Sequence, residues 1–581
     1  MLLCVLVAAS FAPCLKAGFL NWDDPIHVRD NVAVKALSFS NIRTIFQTSV
    51  CSVYIPLTTL SFAVERRIFG ASPAVVHTTN VVLHIAVAVA LLFLLLRLGL
   101  SGRAAFLAAL LFGLHPVHVE SVAWITERKD VLFGLFYVLA LYHYWGYLQS
   151  SRRSAYGWAL FFGVLSILAK PMAVSLPWIL FLMDWLAGRS LSRRMWWDKA
   201  PFFVLIGAVA MITFVQHAGA PDVKFPRALL VWLWCVTFYP RVFFFPVGLD
   251  PMRLLPEPLS ILNPEYFIAA MVLFLALAVV WLFRKERWVV FAALFYCGTM
   301  FFFWRVDYQD VNIVGERFLY IPSLGFCALS GVLLDRWLDI WKRPVPRVFG
   351  TAVLAALFAA LALMTFAQCR VWTDDGTLWS DVVRRNPRNY IAMNLFALYL
   401  SEQGRYDEAL DYNRKALAIN PRFASIPYHA GLIYQKMKRY DEAVDKFSKA
   451  IELSPQMSIA YYERGKSRLS LGQEDLALAD LEQAIKDTPD LLGAYNERGV
   501  IFGMKQRWAE ALQDFNRVLA ADPGDVSALK NRGNLYRLLG QYDRALSEFG
   551  AVLRIDPHDR MALEQRAWIN DVLRRQGAAR E

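Results

Sequence analysis

From Pro387 onward a proline returns at Pro421, Pro455, Pro489, Pro523 and Pro557, each 34 residues after the last. Ala409, Ala443, Ala477, Ala511 and Ala545 keep the same step, as do Gly431, Gly465, Gly499 and Gly533. A period of this length marks a supersecondary unit that cannot bury its apolar face alone, so copies stack into a solenoid. Each unit reads as two amphipathic helices. The first carries a small residue where the helices cross closely, and the second carries Ala and Phe or Leu at packing positions. Proline then ends the second helix, because it has no N–H for the ladder. The units fall at 390–423, 424–457, 458–491, 492–525 and 526–559, with a capping helix and tail at 560–581.

The pattern resembles the tetratricopeptide repeat (TPR), whose first helices line a concave groove. Asn394, Tyr428, Tyr462, Asn496 and Lys530 share one equivalent position there. Amide and phenol groups suit an extended peptide, and the plainer reading is ordinary solvent-facing residues. A TPR array has no catalytic machinery, so any chemistry lies upstream.

Upstream the composition differs. The whole chain is 57% hydrophobic and 19% charged, which excludes a disordered chain and a wholly soluble enzyme. Residues 387–581 hold 28 Lys/Arg against 27 Asp/Glu, whereas residues 1–386 hold 33 against 22. The excess of positive charge therefore sits in the apolar half, where cytoplasmic loops and phosphate-handling pockets need it. A nucleic-acid binder would place a basic face on its soluble part, so no nucleic-acid partner is expected. The seven cysteines form no CxxC and none lies in the repeats, so neither a disulfide framework nor a zinc module is encoded.

Apolar runs of about 20 residues suit a hydrocarbon layer of about 30 Å. The candidates are 1–19, 77–98, 104–116, 129–148, 155–170, 172–187, 199–216, 227–247, 266–283, 287–304, 319–338 and 348–367. The first of these lacks a basic start and a cleavage site and reads as an uncleaved span. Basic clusters at Arg97 with Arg103, Arg152 with Arg153, Arg189 to Lys199, Arg284 to Arg287 and Arg336 to Arg347 mark the cytoplasmic side. Segments 20–76, 115–128, the Lys170 turn, 305–318 and the repeats then face outward. Twelve crossings would instead return the repeats to the side of the N-terminus. The run 227–247, interrupted by Pro240, Arg241 and Pro246, is the expected partial or re-entrant helix that makes the number odd.

Two charged constellations lie at the outer rim. The first loop opens with Asp23–Asp24 and continues through Ile42–Phe46 and Pro56–Phe69, amphipathic stretches expected in the interface with their apolar faces in lipid. Adjacent carboxylates at a membrane edge cost electrostatic energy unless a cation or proton meets them. The second, His115 to Asp130, includes His115, His118, Glu120, Arg128 and Lys129; Lys170 and Glu316–Arg317 complete an outer ring. His115, His118 and Glu120 with Asp23 or Asp24 are compatible with a divalent metal, but HxxH outside an HExxH helix is a weak signal. Hydrogen bonding to a sugar or acceptor is the alternative. Arg128 and Lys129 also read as interfacial anchors. A guanidinium beside a polar loop suits phosphate, whose oxygens match its fork.

The WDD loop, YIPLTTLSF, HPVHVESVAW, the LAK turn and GERFLYIPSLGFC, followed by TPRs, resemble the transmembrane-and-TPR-containing O-mannosyltransferase family of the GT-C superfamily. The resemblance implies an all-α fold: a polytopic, GT-C-like bundle of about 11–12 spans over 1–370, a linker at 371–389 and a TPR α-solenoid at 390–559. It implies a polyprenyl-phosphate-linked sugar donor, Asp23 as catalytic base with Asp24 beside it, and His115, His118, Glu120, Arg128, Lys129, Lys170, Glu316 and Arg317 around the donor. It also implies a protein or peptide acceptor recruited by the repeats, and no cofactor. The stretch 217–265 is poorly matched, which leaves the sugar open. Membrane lipid is the other expected partner, and the compact loops suggest a bacterial inner membrane with site and repeats outside. A non-catalytic scaffold and a transporter of lipid-linked sugars are the rival readings. A transporter would hold its charges near the midplane rather than at one edge.

Overall fold

A computed structural model describes residues 1–51, 53–190, 192–216, 227–301, 314–340 and 344–578. Residues 305–313 of the expected outer segment 305–318 lie outside these, as does the stretch 217–226. The chain forms two units, Met1–Asn386 and Pro387–Glu581, both helical. Among the described residues there is no strand beyond one isolated bridge, Val50 to Val53.

Among the described residues of the first unit six helices are long and apolar enough to cross a membrane: Pro73–Arg97, Ile125–Ser150, Arg193–Ile212, Arg227–Phe244, Pro264–Leu282 and Val348–Val371. The expected run 104–116 is the helix Gly102–Leu114, which breaks at His115–Pro116 and continues at 49° as Pro116–Ala123. His115 takes extended backbone because the residue before proline is excluded from the helical region. Arg153–Ala169, Pro171–Leu186 and Arg287–Met300 are shorter apolar helices. The expected first span is only Leu2–Ser10 followed by a tight turn at Ala12–Lys16, and nine residues rise about 14 Å. The stretch expected to be re-entrant is an unbroken helix through Pro240. Ser323–Ile340 packs closely on Gly102–Leu114: a side chain at Gly331 would strike Ala104 O and Ala108. Small residues at such crossings let membrane helices approach.

One face of the first loop's helices is built into the protein. Val34, Ile45, Phe62 and Ala63 from its helices bury against Val28, Val76 and Ile125. Ile26, Leu37, Phe39, Phe46, Val64, Ile68 and Phe69 remain exposed for an interface. Residues 371–389, expected as a linker, contain the helix Asp375–Arg385, which belongs to the first unit.

The second unit contains five helix pairs: Tyr390–Glu402 with Tyr406–Ile419, Ser425–Lys436 with Tyr440–Leu453, Ser458–Ser470 with Glu474–Asp487, Leu492–Met504 with Trp508–Ala521, and Val526–Leu538 with Tyr542–Ile555. Arg560–Ala578 follows. The 34-residue alanines are fully buried, and Gly431, Gly499 and Gly533 face the rings of Phe447, Phe515 and Phe549. A salt bridge recurs within three repeats: Arg464 with Asp480 at 2.7 Å, Arg498 with Asp514 at 2.8 Å and Arg532 with Glu548 at 2.8 Å.

The turn between the paired helices uses a left-handed residue at positions 404, 438, 472, 506 and 540. Three are glycine, but Lys438 (φ 59°) and Gln506 (φ 58°) pay the steric cost of a Cβ there. Lys438→Gly and Gln506→Gly are each expected to stabilise the array by about 0.5–1 kcal/mol, read as a higher denaturation midpoint with unchanged slope. Unchanged or lowered midpoints would contradict this.

Two of the five expected groove residues, Asn394 and Asn496, are joints between repeats. Asn394 is buried, accepting from Asn413 Nδ2 (3.2 Å) and donating to Ser425 O (3.5 Å). Asn496 accepts from Asn531 Nδ2 (3.0 Å), and Lys530 pairs with Asp559 at 3.0 Å. Tyr428 and Tyr462 are half-buried. At Asn394 and Asn496 packing draws the amide into a bond with the next repeat. Tyr428 and Tyr462 alone keep partly open rings.

Candidate functional site

The site grows from the turn after Lys16. Gly18 N–H donates to Thr373 O (3.0 Å), and Gly18 O bonds His77 Nε2 (3.3 Å), so the loop is held before its acidic pair begins. Asp24 is fully buried and acts as the loop's internal anchor. It accepts from Leu20 N–H (2.8 Å), Thr126 N–H (3.2 Å) and Thr126 Oγ1 (2.5 Å). Burial pushes its carboxyl up to about 6 against the pull of those three bonds.

Asp23 is its opposite. The carboxylate has no hydrogen-bond partner among the described residues and stays partly open. Burial raises its pKa above the ordinary carboxylate value; Lys129 and Arg317 oppose this and Glu127 adds to it. One carboxylate of the pair is used up in structure and the other is left beside cations.

Those cations belong to a buried lattice. Glu127 lies 3.0 Å from Lys129 Nζ, 3.3 Å from Lys170 Nζ and 3.6 Å from Arg317 Nε. Lys170 also pairs with Asp130, which accepts from Ser121 Oγ (2.9 Å). Arg317 pairs with Glu120 through Nη1, and its backbone N–H donates to the same carboxylate (2.8 Å). Lys129 and Arg317 lie over the Trp124 ring at 5.9 and 5.7 Å. Local backbone explains the convergence. Lys170 is the extended residue between Ala169 and Pro171, Arg317 sits on the tight turn Glu316–Leu319, and Glu127, Lys129 and Asp130 open one long helix. Three carboxylates balance three cations, and Asp23 adds one negative charge. The ammonium groups and Arg317 Nη2 keep donors beyond those contacts, since Lys has three N–H and Arg five.

The structure thus brings together Asp23, Glu120, Lys129, Lys170 and Arg317, and it separates the others. Arg128 is fully buried on the far face of its helix. It pairs with Glu65, donates to Asn80 Oδ1 (2.9 Å) and Val76 O (2.9 Å), and lies over Phe62 at 4.3 Å. It ties the first loop to the bundle and is neither an anchor nor part of the ring. His115 bonds Phe243 O through Nε2 (2.9 Å), accepts from Val117 N–H at Nδ1 (3.2 Å), and stacks on Phe243. His118 lies among His84, Phe112 and Tyr320, with Nε2 3.4 Å from Ser323 Oγ. Glu316 turns away from its neighbour Arg317: it accepts from Asp250 N–H (3.2 Å) and Arg253 (3.4 Å), and burial pushes it up to about 8.

Both His115 nitrogens are engaged and Glu120 pairs with Arg317. Among the described residues no group of three His, Cys, Asp or Glu is placed to hold a metal ion. Glu127 and Asp130 are the principal site residues left out of the sequence reading. Their spacing of three at a helix start puts both on one face, a signal masked by the intervening Arg128 and Lys129.

A multi-pass helical membrane unit followed by a tetratricopeptide array defines the class of protein. Within it, the chain is similar to the transmembrane-and-TPR-containing O-mannosyltransferases, as its motifs led us to expect. Residues 56–218 match the family model described as dolichyl-phosphate-mannose-protein mannosyltransferase. Tetratricopeptide repeat models match 377–422, 428–457, 462–526 and 496–560. Human protein O-mannosyl-transferase TMTC1 is 26% identical over 448 residues, covering 65% of this chain and 49% of the relative. Mouse protein O-mannosyl-transferase TMTC3 is 23% identical over 492 residues, covering 74% and 52%. The chain thus spans about half the length of the curated relatives it matches. Among solved structures, the TPR protein YrrB, described as having an unusual peptide-binding site, is 28% identical and covers 32% of this chain and 97% of its own, with a TM-score of 0.28.

Proposed function

We propose that the protein is an inverting membrane glycosyltransferase that moves a sugar from a polyprenyl phosphate to a Ser or Thr hydroxyl of a protein. The similarity to protein O-mannosyltransferases favours mannose. The observation that carries the reading is the Asp23 carboxylate, without a hydrogen-bond partner among the described residues and within the electrostatic reach of Lys129 and Arg317. Asp23 takes the hydroxyl proton as that oxygen bonds to the anomeric carbon, and the bond from carbon to phosphate oxygen breaks. The electron pair leaves with the polyprenyl phosphate, whose growing charge meets the spare donors of Lys129, Lys170 and Arg317. Direct displacement inverts the anomeric centre. The basic clusters support an orientation with this site on the extracytoplasmic face, and the repeats recruit the acceptor.

The test incubates purified protein with a mannosyl-phosphoryl-polyprenol and a Ser/Thr-rich peptide. Release of polyprenyl phosphate and an α-linked product from a β-linked donor are expected. No release across a panel of sugar donors would refute the reading.

The raised pKa of Asp23 also predicts a pH profile. A base must be ionised, so kcat/KM falls as the medium acidifies through the pKa of Asp23, which burial raises from its ordinary value. Asp24, Cys51, Glu127, Lys129 and Arg317 are the groups coupled to it. Lys129→Met removes a cation that lowers this pKa, so the acid limb is expected to move to higher pH. A shift to lower pH would contradict the assignment.

A further inference from the structure

The helix Asp375–Arg385 is too elaborately attached to be a passive connection. Its start is capped without Asp375: Asp374 Oδ1 accepts Thr377 N–H (2.8 Å), and Thr377 Oγ1 accepts Asp374 N–H (3.2 Å). The Asp375 carboxylate reaches sideways. Its two oxygens accept the backbone N–H of Asn21 at 3.0 and 3.2 Å, two residues before Asp23, and one also accepts Trp379 Nε1–H at 3.3 Å. The Trp379 ring meets Trp22 edge-on at 5.2 Å, and Trp22 stacks on Trp124 at 4.3 Å. Trp124 is the ring beneath Lys129 and Arg317. Asp375 and Trp379 are both buried.

The other end of the helix is fastened to a second segment around the site. Asp381 pairs with Arg385, and Arg385 Nη1 donates to Leu249 O at 2.8 Å. The next residue, Asp250, donates its N–H to Glu316, which adjoins Arg317. One short helix thus bonds to the loop carrying the carboxylate and to the segment bracing the turn that carries the guanidinium. It is also the chain segment leading into Pro387, where the repeat unit begins.

We propose that Asp375–Arg385 is a positioning strap that sets the separation of Asp23 from Arg317, with Asp375 and Trp379 as its positioning residues. This rests on the transferase reading for its effect on turnover, but its structural part stands apart from it. Neither residue touches the reacting atoms, so the strap governs how well the base is aimed rather than how the donor is held. A misplacement of the order of 1 Å costs about 10²-fold in rate when reacting groups must be aligned.

The test uses the full chain in phosphatidylcholine/phosphatidylglycerol nanodiscs, as wild type, Asp375→Ala, Trp379→Ala and Trp379→Phe. Hydrogen exchange is followed in peptides covering 18–24 and, as a control, 56–69. Turnover is measured with a mannosyl-phosphoryl-polyprenol. Both alanine variants are expected to speed exchange across 18–24 by about tenfold or more and leave 56–69 unchanged. They should lower kcat by about tenfold to a hundredfold with the donor KM within about twofold. Trp379→Phe keeps the edge contact on Trp22 and should recover most of kcat, a rescue that general destabilisation would not give. Should the alanine variants fail to fold, Trp379→Phe and Asp375→Asn carry the same comparison. Unchanged exchange at 18–24 overturns the strap, as does a loss appearing only in KM. Faster exchange in a protein that transfers no sugar upholds the strap and removes only the transferase reading.

Discussion

Asp23→Asn is expected to reduce sugar transfer by about 10²–10⁴-fold while leaving the melting of both helical units unchanged. The substitution keeps the shape of the side chain and removes only its capacity to take a proton. No described hydrogen bond is lost, and the partly desolvated charge that raises the Asp23 pKa disappears. Its neighbour supplies the contrast. Asp24→Asn places an amide among three donors, so at least one of Leu20 N–H, Thr126 N–H or Thr126 Oγ1 loses its acceptor. The expected cost is about 1–3 kcal/mol of stability, with activity falling alongside it. Measuring thermal unfolding and polyprenyl phosphate release on the two variants separates a chemical role from a structural one. Full turnover by Asp23→Asn would remove the carboxylate from the mechanism.

Arg317→Met is the other change of large effect, and it acts twice. Arg317 is the partner of Glu120 and a neighbour of Glu127, both buried. Removing it leaves uncompensated charge inside the protein, at an expected cost of about 3–5 kcal/mol. Glu120→Gln in the same chain removes one of those orphaned charges and should restore much of the stability. Transfer should stay depressed in the double variant, because the guanidinium opposite the departing phosphate is still missing. A removed charge-stabilising donor typically costs about 10²–10³ in rate. If the double variant regains wild-type turnover, Arg317 is only a counter-ion for Glu120.

The repeat array was legible because its signals are local and periodic. The 34-residue step in Pro, Ala and Gly corresponds in the structure to helix ends, fully buried alanines and glycines under a Phe ring or, at Gly465, under Leu481. The groove residues were not legible. Asn394 and Asn496 differ from open-faced amides only in what the next repeat offers them, which is Ser425 O in one case and Asn531 Nδ2 in the other. The bundle shows the same division. Apolar runs identified where helices lie, but the bend at His115–Pro116 and the shortness of Leu2–Ser10, Arg153–Ala169, Pro171–Leu186 and Arg287–Met300 leave, among the described residues, six helices long and apolar enough to cross, or seven if the bent pair is one span, against the expected 11–12.

In the candidate site, sequence alone singled out Asp23 and the cations Lys129, Lys170 and Arg317, because charge beside hydrocarbon is costly wherever it occurs. The family resemblance put Asp23 ahead of Asp24, but the chemistry of the two adjacent carboxylates gave no physical reason for that order, nor did it tell Arg128 from Lys129. Adjacent residues have nearly the same local environment along the chain, yet a helix turns about 100° between them. That rotation carries Arg128 to Glu65 and Lys129 to Glu127, and a single backbone step separates the sealed Asp24 from the open Asp23. Composition and period are properties of the chain and survive without a fold. Which ion meets which depends on elements hundreds of residues apart, Glu120 with Arg317 and Asn21 with Asp375, and such pairings exist only after the chain has packed.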